Sequence, residues 1–208
     1  MKLQIALDTL TLKECIELLD ETKDYIDIVE VGTPFIIEKG MKPVKKFSKR
    51  YKDLEILADT KIMDAGELEA EIAFKAGADI VTVLGVTHDE TVQGALKAAK
   101  KYGGKIMIDM IGVNNIEERA KELEDMGVDY ICVHTAFDIQ STGHNPLEEL
   151  KRVNKVITKS KTAVAGGVKL ETVDEIVSEG VDVVVVGGAI SNASDRVLAA
   201  KQIKERLK

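Results

Sequence analysis

The chain has 208 residues, 45% of them hydrophobic and 31% charged, with 16 Gly and 3 Pro. This is an ordinary globular composition, long enough to bury about 70% of the unfolded surface without disulfide or metal staples. The formal net charge of −7 argues against a nucleic-acid or anionic-membrane surface and leaves room only for a local basic patch.

Short β-branched runs recur along the chain and predict strands over residues 3–7, 26–31, 55–58, 80–83, 105–108, 130–133, 162–165 and 183–186. Apolar runs of this length without polar alternation suit strands buried on both faces. The first run is too short for a signal peptide and is closed by Asp8, and no segment has the roughly 20 apolar residues needed to span a bilayer. Helices are predicted over residues 12–19, after Thr11 as N-cap, and over 67–76, 91–102, 116–126 and 170–178. Four of these end at or just before a glycine: Gly77, Gly103, Gly127 and Gly180.

One pattern repeats: Gly77-Ala78-Asp79, Gly127-Val128-Asp129 and Gly180-Val181-Asp182 each lead into a strand. A left-handed glycine ending a helix, followed by a short polar residue before the strand, explains it without chemistry. The two cysteines, Cys15 and Cys132, are far apart and show no metal spacing, so they are expected to be reduced thiols of a cytoplasmic protein.

Strands alternating with helices leave two architectures, a closed (β/α)8 TIM barrel or an open doubly wound sheet. Eight evenly spaced strands, and no Gly-x-Gly-x-x-Gly after the first, favour a single barrel domain over residues 1–208. In a barrel the carboxyl ends of all strands converge on one mouth. Those ends carry Asp8, Glu30, Asp59 with Lys61 and Asp64, Asp109 and His134, whereas the fourth strand, ending near Gly85, offers no evident chemistry. So many charges in one cavity require a cation and a polar ligand. Glu30 and Asp59 suit a hard divalent ion, Mg²⁺ rather than Zn²⁺, since no His/Cys cluster is present. Gly166-Gly167 and Gly187-Gly188 follow the last two strands, where barrels bind phosphate through backbone amides. His88 reads as a surface residue at a helix start, and His144 lies in a loop after strand six that could cover the mouth.

Asp59-x-Lys61-x-x-Asp64 resembles the signature of the orotidine 5′-monophosphate decarboxylase superfamily, and the likeness spans nearly the whole chain: Asp8, Glu30, the signature, Asp109, His134 and both glycine pairs, in order. Residues 108–113 and 133–140 most resemble the 3-hexulose-6-phosphate synthase branch. The sister 3-keto-L-gulonate-6-phosphate decarboxylases usually carry glutamate where Asp109 stands and arginine where Phe137 stands. The resemblance implies an aldehyde-lyase that condenses D-ribulose 5-phosphate with formaldehyde. It implies Mg²⁺ near Glu30 and Asp59, and a homodimer in which Asp64 reaches the neighbouring site. Of the residues at the mouth, His134 is the expected base, since an imidazole titrates near pH 6.5. Lys61, flanked by acids, should stay protonated. Asp109, through a water, is the expected donor to the new alkoxide, and Asp8 and the glycine pairs are expected to bind substrate. The alternatives are the sister decarboxylase, a pentulose-phosphate epimerase, which typically needs more histidines at strand ends, and a phosphosugar-binding module without turnover.

Overall fold

The computed structural model describes residues 1–140 and 146–208; His144 and its loop lie outside the described residues. Strands β1 (Lys2–Leu7), β2 (Ile28–Val31), β3 (Glu55–Ile62), β4 (Ile80–Leu84), β5 (Lys105–Asp109), β6 (Tyr130–His134), β7 (Lys161–Ala165) and β8 (Val183–Val186) pair in order, and β8 closes on β1. All pairings are parallel, so the chain forms the (β/α)8 barrel. Helix α1 (Leu12–Thr22) follows β1 and begins with a capping box between Thr11 and Glu14. Helices α2 (Thr33–Lys39) and α3 (Lys42–Arg50) follow β2, α4 (Gly66–Ala76) follows β3, α5 (Asp89–Tyr102) follows β4 and α6 (Ile116–Met126) follows β5. Beyond β6 come α7 (Phe137–Gln140) and α8 (Leu147–Asn154), then α9 (Val173–Ser178) after β7 and α10 (Gly188–Ser191) and α11 (Arg196–Arg206) after β8. None of these helices is long and apolar enough to cross a membrane.

Helices α2, α3, α8 and α11 were not legible as periodic stretches. In α2 and α3 the prolines, Pro34 and Pro43, stand in the first turn, where the missing N–H costs nothing and the helix proceeds. The Gly-x-Asp repeat is structural, as its composition suggests. Gly77, Gly127 and Gly180 have φ of 102°, 92° and 79°. The carboxylates of Asp79, Asp129 and Asp182 each accept from a backbone N–H of the preceding strand: Ile56, Ile106 and Thr162. Asp27 does the same for Leu3 without the glycine. Each even-numbered strand is thus stapled to its odd-numbered predecessor at the end of the barrel away from the mouth.

The register fixes what fills the interior. With a shear of about one residue per strand, inward-facing side chains fall into layers of four from alternate strands. Ile28, Ile80, Tyr130 and Val183 form one layer, and Gln4, Leu57, Met107 and Ala163 the next. Above them lie Glu30, Thr82, Cys132 and Val185, then Ala6, Asp59, Asp109 and Ala165. Of these four layers the lower two are mainly apolar and the acids lie in the upper two; below them, at the far end, Glu55 pairs with Lys2 and Lys105. A second apolar core, including Leu3, Ile5, Phe35, Phe47 and Val81, packs the outer face of the barrel against the helices.

Strand β3 differs most from the sequence reading. It continues to Ile62 instead of ending at Ala58, and its pairing with β4 shifts register between Ala58 and Ile62. Within that irregularity Lys61 adopts φ of 47°, a left-handed conformation uncommon outside glycine. Strands β5 and β6 also run one residue further than expected, so that Asp109 and His134 are the last residues of the ladder, held by rigid backbone.

Candidate active site

The register shift in β3 sets the position of Lys61. Its backbone N–H donates to Thr82 Oγ1 at 2.9 Å, and that hydroxyl donates to Asp59 Oδ1 at 2.8 Å. Thr60 Oγ1 donates to the Thr82 carbonyl. Thr33, at the start of α2, donates to Asp59 Oδ2 and to the Asp59 carbonyl, both at 2.8 Å. The signature is therefore braced by β4 on one side and by the start of α2 on the other. With its backbone so held, Lys61 places Nζ 3.0 Å from Asp59 Oδ2 and 2.5 Å from Asp109 Oδ2.

Burial works against the Lys61 charge, but the Asp59 and Asp109 carboxylates outweigh it and raise the ammonium's pKa above its ordinary value. Lys61 is protonated at neutral pH, as its flanking acids suggest. Asp109 is buried, which alone would favour its neutral form; its bonds to His134 and Lys61 dominate and pull it down to about 2. Asp109 Oδ1 accepts from Ile111 N–H at 3.0 Å, while Oδ2 accepts from Lys61 and faces His134 Nδ1 at 2.9 Å. Both oxygens are occupied, and this geometry suits Asp109 to orient the imidazole. A carboxylate at Nδ1 demands the tautomer with the proton on Nδ1, leaving the Nε2 lone pair open.

Glu30 and Asp8 complete the acidic side. Glu30 is buried and accepts from Gln4 Nε2 at 2.6 Å. Desolvation, with the Asp59 charge added, pushes its carboxyl well above the ordinary range. Asp8 stands exposed at the mouth; partial desolvation first and the Asp59 charge second raise its pKa as well. A side chain at Gly32 would put Cβ 2.0 Å from Asp8 Oδ1, so this glycine gives the acid its space. Among the described residues no group of three or more His, Cys, Asp or Glu side chains is disposed to hold a metal ion by itself.

On the opposite rim, Gly166 and Gly167 have φ of 91° and 73°, and a Cβ on Gly166 would lie 2.1 Å from the Thr135 carbonyl. Gly188 opens α10, in which the Ile190 and Ser191 amides donate to the Gly187 carbonyl and those of Gly188 and Ala189 precede the first bond of the turn. The structure therefore gathers Asp8, Glu30, Asp59, Lys61, Asp109 and His134 at one mouth, with both glycine pairs on its edge. Asp64 is not gathered. It is exposed, accepts from the Ala65 N–H at 2.7 Å and joins none of the Lys61 hydrogen bonds. His88 precedes α5 without capping it through its side chain. Strand β4, which seemed to offer no chemistry, supplies Thr82. Thr82, Thr33 and Gln4 were missed; the one signal for Thr82 and Gln4 is a polar residue at an inward position of an otherwise apolar run.

In comparisons with known proteins, residues 1–203 match the family described as orotidine 5′-phosphate decarboxylase / HUMPS. The 3-hexulose-6-phosphate synthase of Bacillus subtilis (strain 168) is 49% identical over 205 residues, covering 99% of this chain and 98% of its own length. The crystal structure of 3-hexulose-6-phosphate synthase from Salmonella typhimurium matches with a TM-score of 0.97 at 45% identity, over 100% of this chain and 98% of that one. The 3-keto-L-gulonate-6-phosphate decarboxylase from Vibrio cholerae O1 matches with a TM-score of 0.87 at 25% identity, over 99% and 96% of the two chains.

The brace on Lys61 is open to test. Thr82→Val keeps the shape but leaves the Lys61 N–H and Asp59 Oδ1 each one partner short. It should lower the unfolding free energy in urea by about 1–3 kcal/mol, whereas Thr82→Ser should retain most of it.

Proposed function

This chain belongs to the orotidine 5′-phosphate decarboxylase / HUMPS family and is an enzyme of the lyase/aldolase type, and from that premise we propose that it joins D-ribulose 5-phosphate to formaldehyde, giving D-arabino-hex-3-ulose 6-phosphate. The observation that carries the reading is Asp109 bridging Lys61 and His134. The sister decarboxylases usually place a glutamate there. Identity of 45–49% to synthases against 25% to a decarboxylase supports the same choice.

In this reading His134 Nε2 takes a proton from carbon 1 of the pentulose phosphate. The imidazolium that forms is steadied by the Asp109 carboxylate at Nδ1. The protonated Lys61 ammonium donates to the oxygen on which negative charge develops. Carbon 1 then bonds to the formaldehyde carbon, and the proton held by His134 passes to the new alkoxide, so the proton balance closes on one residue. The glycine pairs bind the substrate phosphate through backbone amides, and Asp8 binds a substrate hydroxyl.

The residues fit a hard divalent cation. Glu30 is a buried acid next to Asp59, with the neutral Gln4 amide as a donor, and Gln4 Oε1 beside it is buried without a partner among the described residues. Glu30 and Asp59 would hold Mg²⁺. Bound there, Mg²⁺ supplies positive charge that stabilises the enediolate oxygens. The functional unit in this proposal is a homodimer working in the cytoplasm. Asp64 is exposed beside the exposed apolar side chains Met63, Leu68 and Ile72, and reaches the partner's mouth.

Three outcomes follow. Ribulose 5-phosphate and formaldehyde should be consumed in a Mg²⁺-dependent reaction, and His134→Ala should be at least about a hundredfold slower. A far higher kcat/KM for decarboxylating 3-keto-L-gulonate 6-phosphate would replace this reading with the sister activity, and phosphosugar binding without turnover would favour a binding module.

A second outcome concerns Glu30. Its folded pKa is raised, so the metal-free fold binds a proton there that the unfolded chain has lost. Stability should fall as pH rises above about 4.3, the ordinary glutamate value. Glu30→Gln should flatten that fall in metal-free melting curves and abolish the rise in Tm on adding Mg²⁺.

The shared site gives a third. Asp64→Ala and His134→Ala homodimers should each be nearly inactive. Mixed and re-equilibrated, half the dimers would carry one intact site, and roughly a quarter of wild-type activity should return.

A further inference from the structure

Gln4 is 2% exposed and occupies the barrel layer completed by Leu57, Met107 and Ala163. An amide among apolar neighbours is unfavourable unless its polar atoms are paired. Only half of this one is. Its Nε2 donates to Glu30 Oε2 at 2.6 Å, while Oε1 is buried with no partner among the described residues. Leucine or methionine, as β3 and β5 carry in the same layer, would fill the space without an orphaned acceptor. What the amide does that they could not is bind Glu30.

The kind of donor matters. Asp59 and Asp109 share the Lys61 ammonium, so their charge is largely compensated within the protein. Glu30 lies opposite Ala6, whose small side chain leaves the carboxylate room to lean toward β1, and there it meets a neutral N–H. A neutral donor fixes where a carboxylate points without cancelling its charge. A lysine at position 4 would satisfy Glu30 outright and compete with any cation.

We propose that Gln4 is a positioning residue, aiming the Glu30 carboxylate at a divalent cation held between Glu30 and Asp59; this rests on the metal reading above. Groups that hydrogen-bond a ligating side chain typically change metal affinity by about ten- to a hundredfold.

The test uses Mn²⁺ as the probe, titrated against the full-length protein without substrate, with free Mn²⁺ read by electron paramagnetic resonance. Gln4→Met should raise the Kd about ten- to a hundredfold. Its metal-free melting curve serves as the control that the variant is folded. Gln4→Ala, which leaves space for a water in place of the amide, should give a smaller rise and serves if the methionine variant fails to fold. An unchanged Kd, with or without a lower metal-free melting temperature, overturns the inference and makes Gln4 a packing residue. Wild-type protein that binds no Mn²⁺ overturns the metal reading and this inference with it, whereas wild-type binding matched by the variants overturns this inference alone.

Discussion

One ammonium between two buried carboxylates organises the mouth of this barrel. Lys61 Nζ lies within 3.0 Å of Asp59 and 2.5 Å of Asp109. Remove that cation and two desolvated acids face each other, joined by Glu30 and Asp8 on the same side. Such an arrangement costs several kcal/mol for each unpaired charge. With it, Asp109 stays ionised, and an ionised Asp109 is what fixes the His134 tautomer and frees Nε2. The proton chemistry proposed at His134 thus depends on a charge three strands away.

The network requires a backbone that ordinary strand geometry does not provide. Lys61 is left-handed at φ 47°, and the β3–β4 pairing slips to accommodate it. A non-glycine residue in that region costs of order 1 kcal/mol or more and persists only where its surroundings over-determine it. Thr82 does so directly, by accepting from the Lys61 amide while donating to Asp59. The same hydroxyl therefore fixes the turn of the chain and the orientation of an acid, which is why a threonine stands in an otherwise apolar strand.

Beneath the site, the layers of the barrel divide the work. Leu57, Ile80, Met107 and Tyr130 fill the lower interior, and the aspartate staples tie strand pairs at the far end. This packing makes a rigid floor on which the acids can stand close together. On the β1–β2 side the floor is polar: Gln4 rises to Glu30, which forms no salt bridge among the described residues. One half of the mouth is self-neutralised by Lys61, and the other is left for a proton or a bound cation to neutralise.

Much of this was written in the order of residues along the chain. Alternating buried runs and helix-ending glycines imply eight βα units. The Asp59-x-Lys61-x-x-Asp64 spacing, with acids and one histidine at successive strand ends, marks the mouth and its family. These features are local: periodicity and turn chemistry act within a few residues, and charges at strand ends are conspicuous in apolar surroundings. The sequence could not show which acid holds which partner. Asp109 read as an acid at a strand end, and only the fold brings it to Lys61, 48 residues away, and His134, 25 away. Thr82 and Gln4 read as strand residues because their partners lie on other strands. Asp64 read as part of one cluster with its neighbours in the motif, yet the fold turns it outward. Contacts across the barrel depend on register and on one left-handed residue, and neither has a signature in the local pattern of the chain.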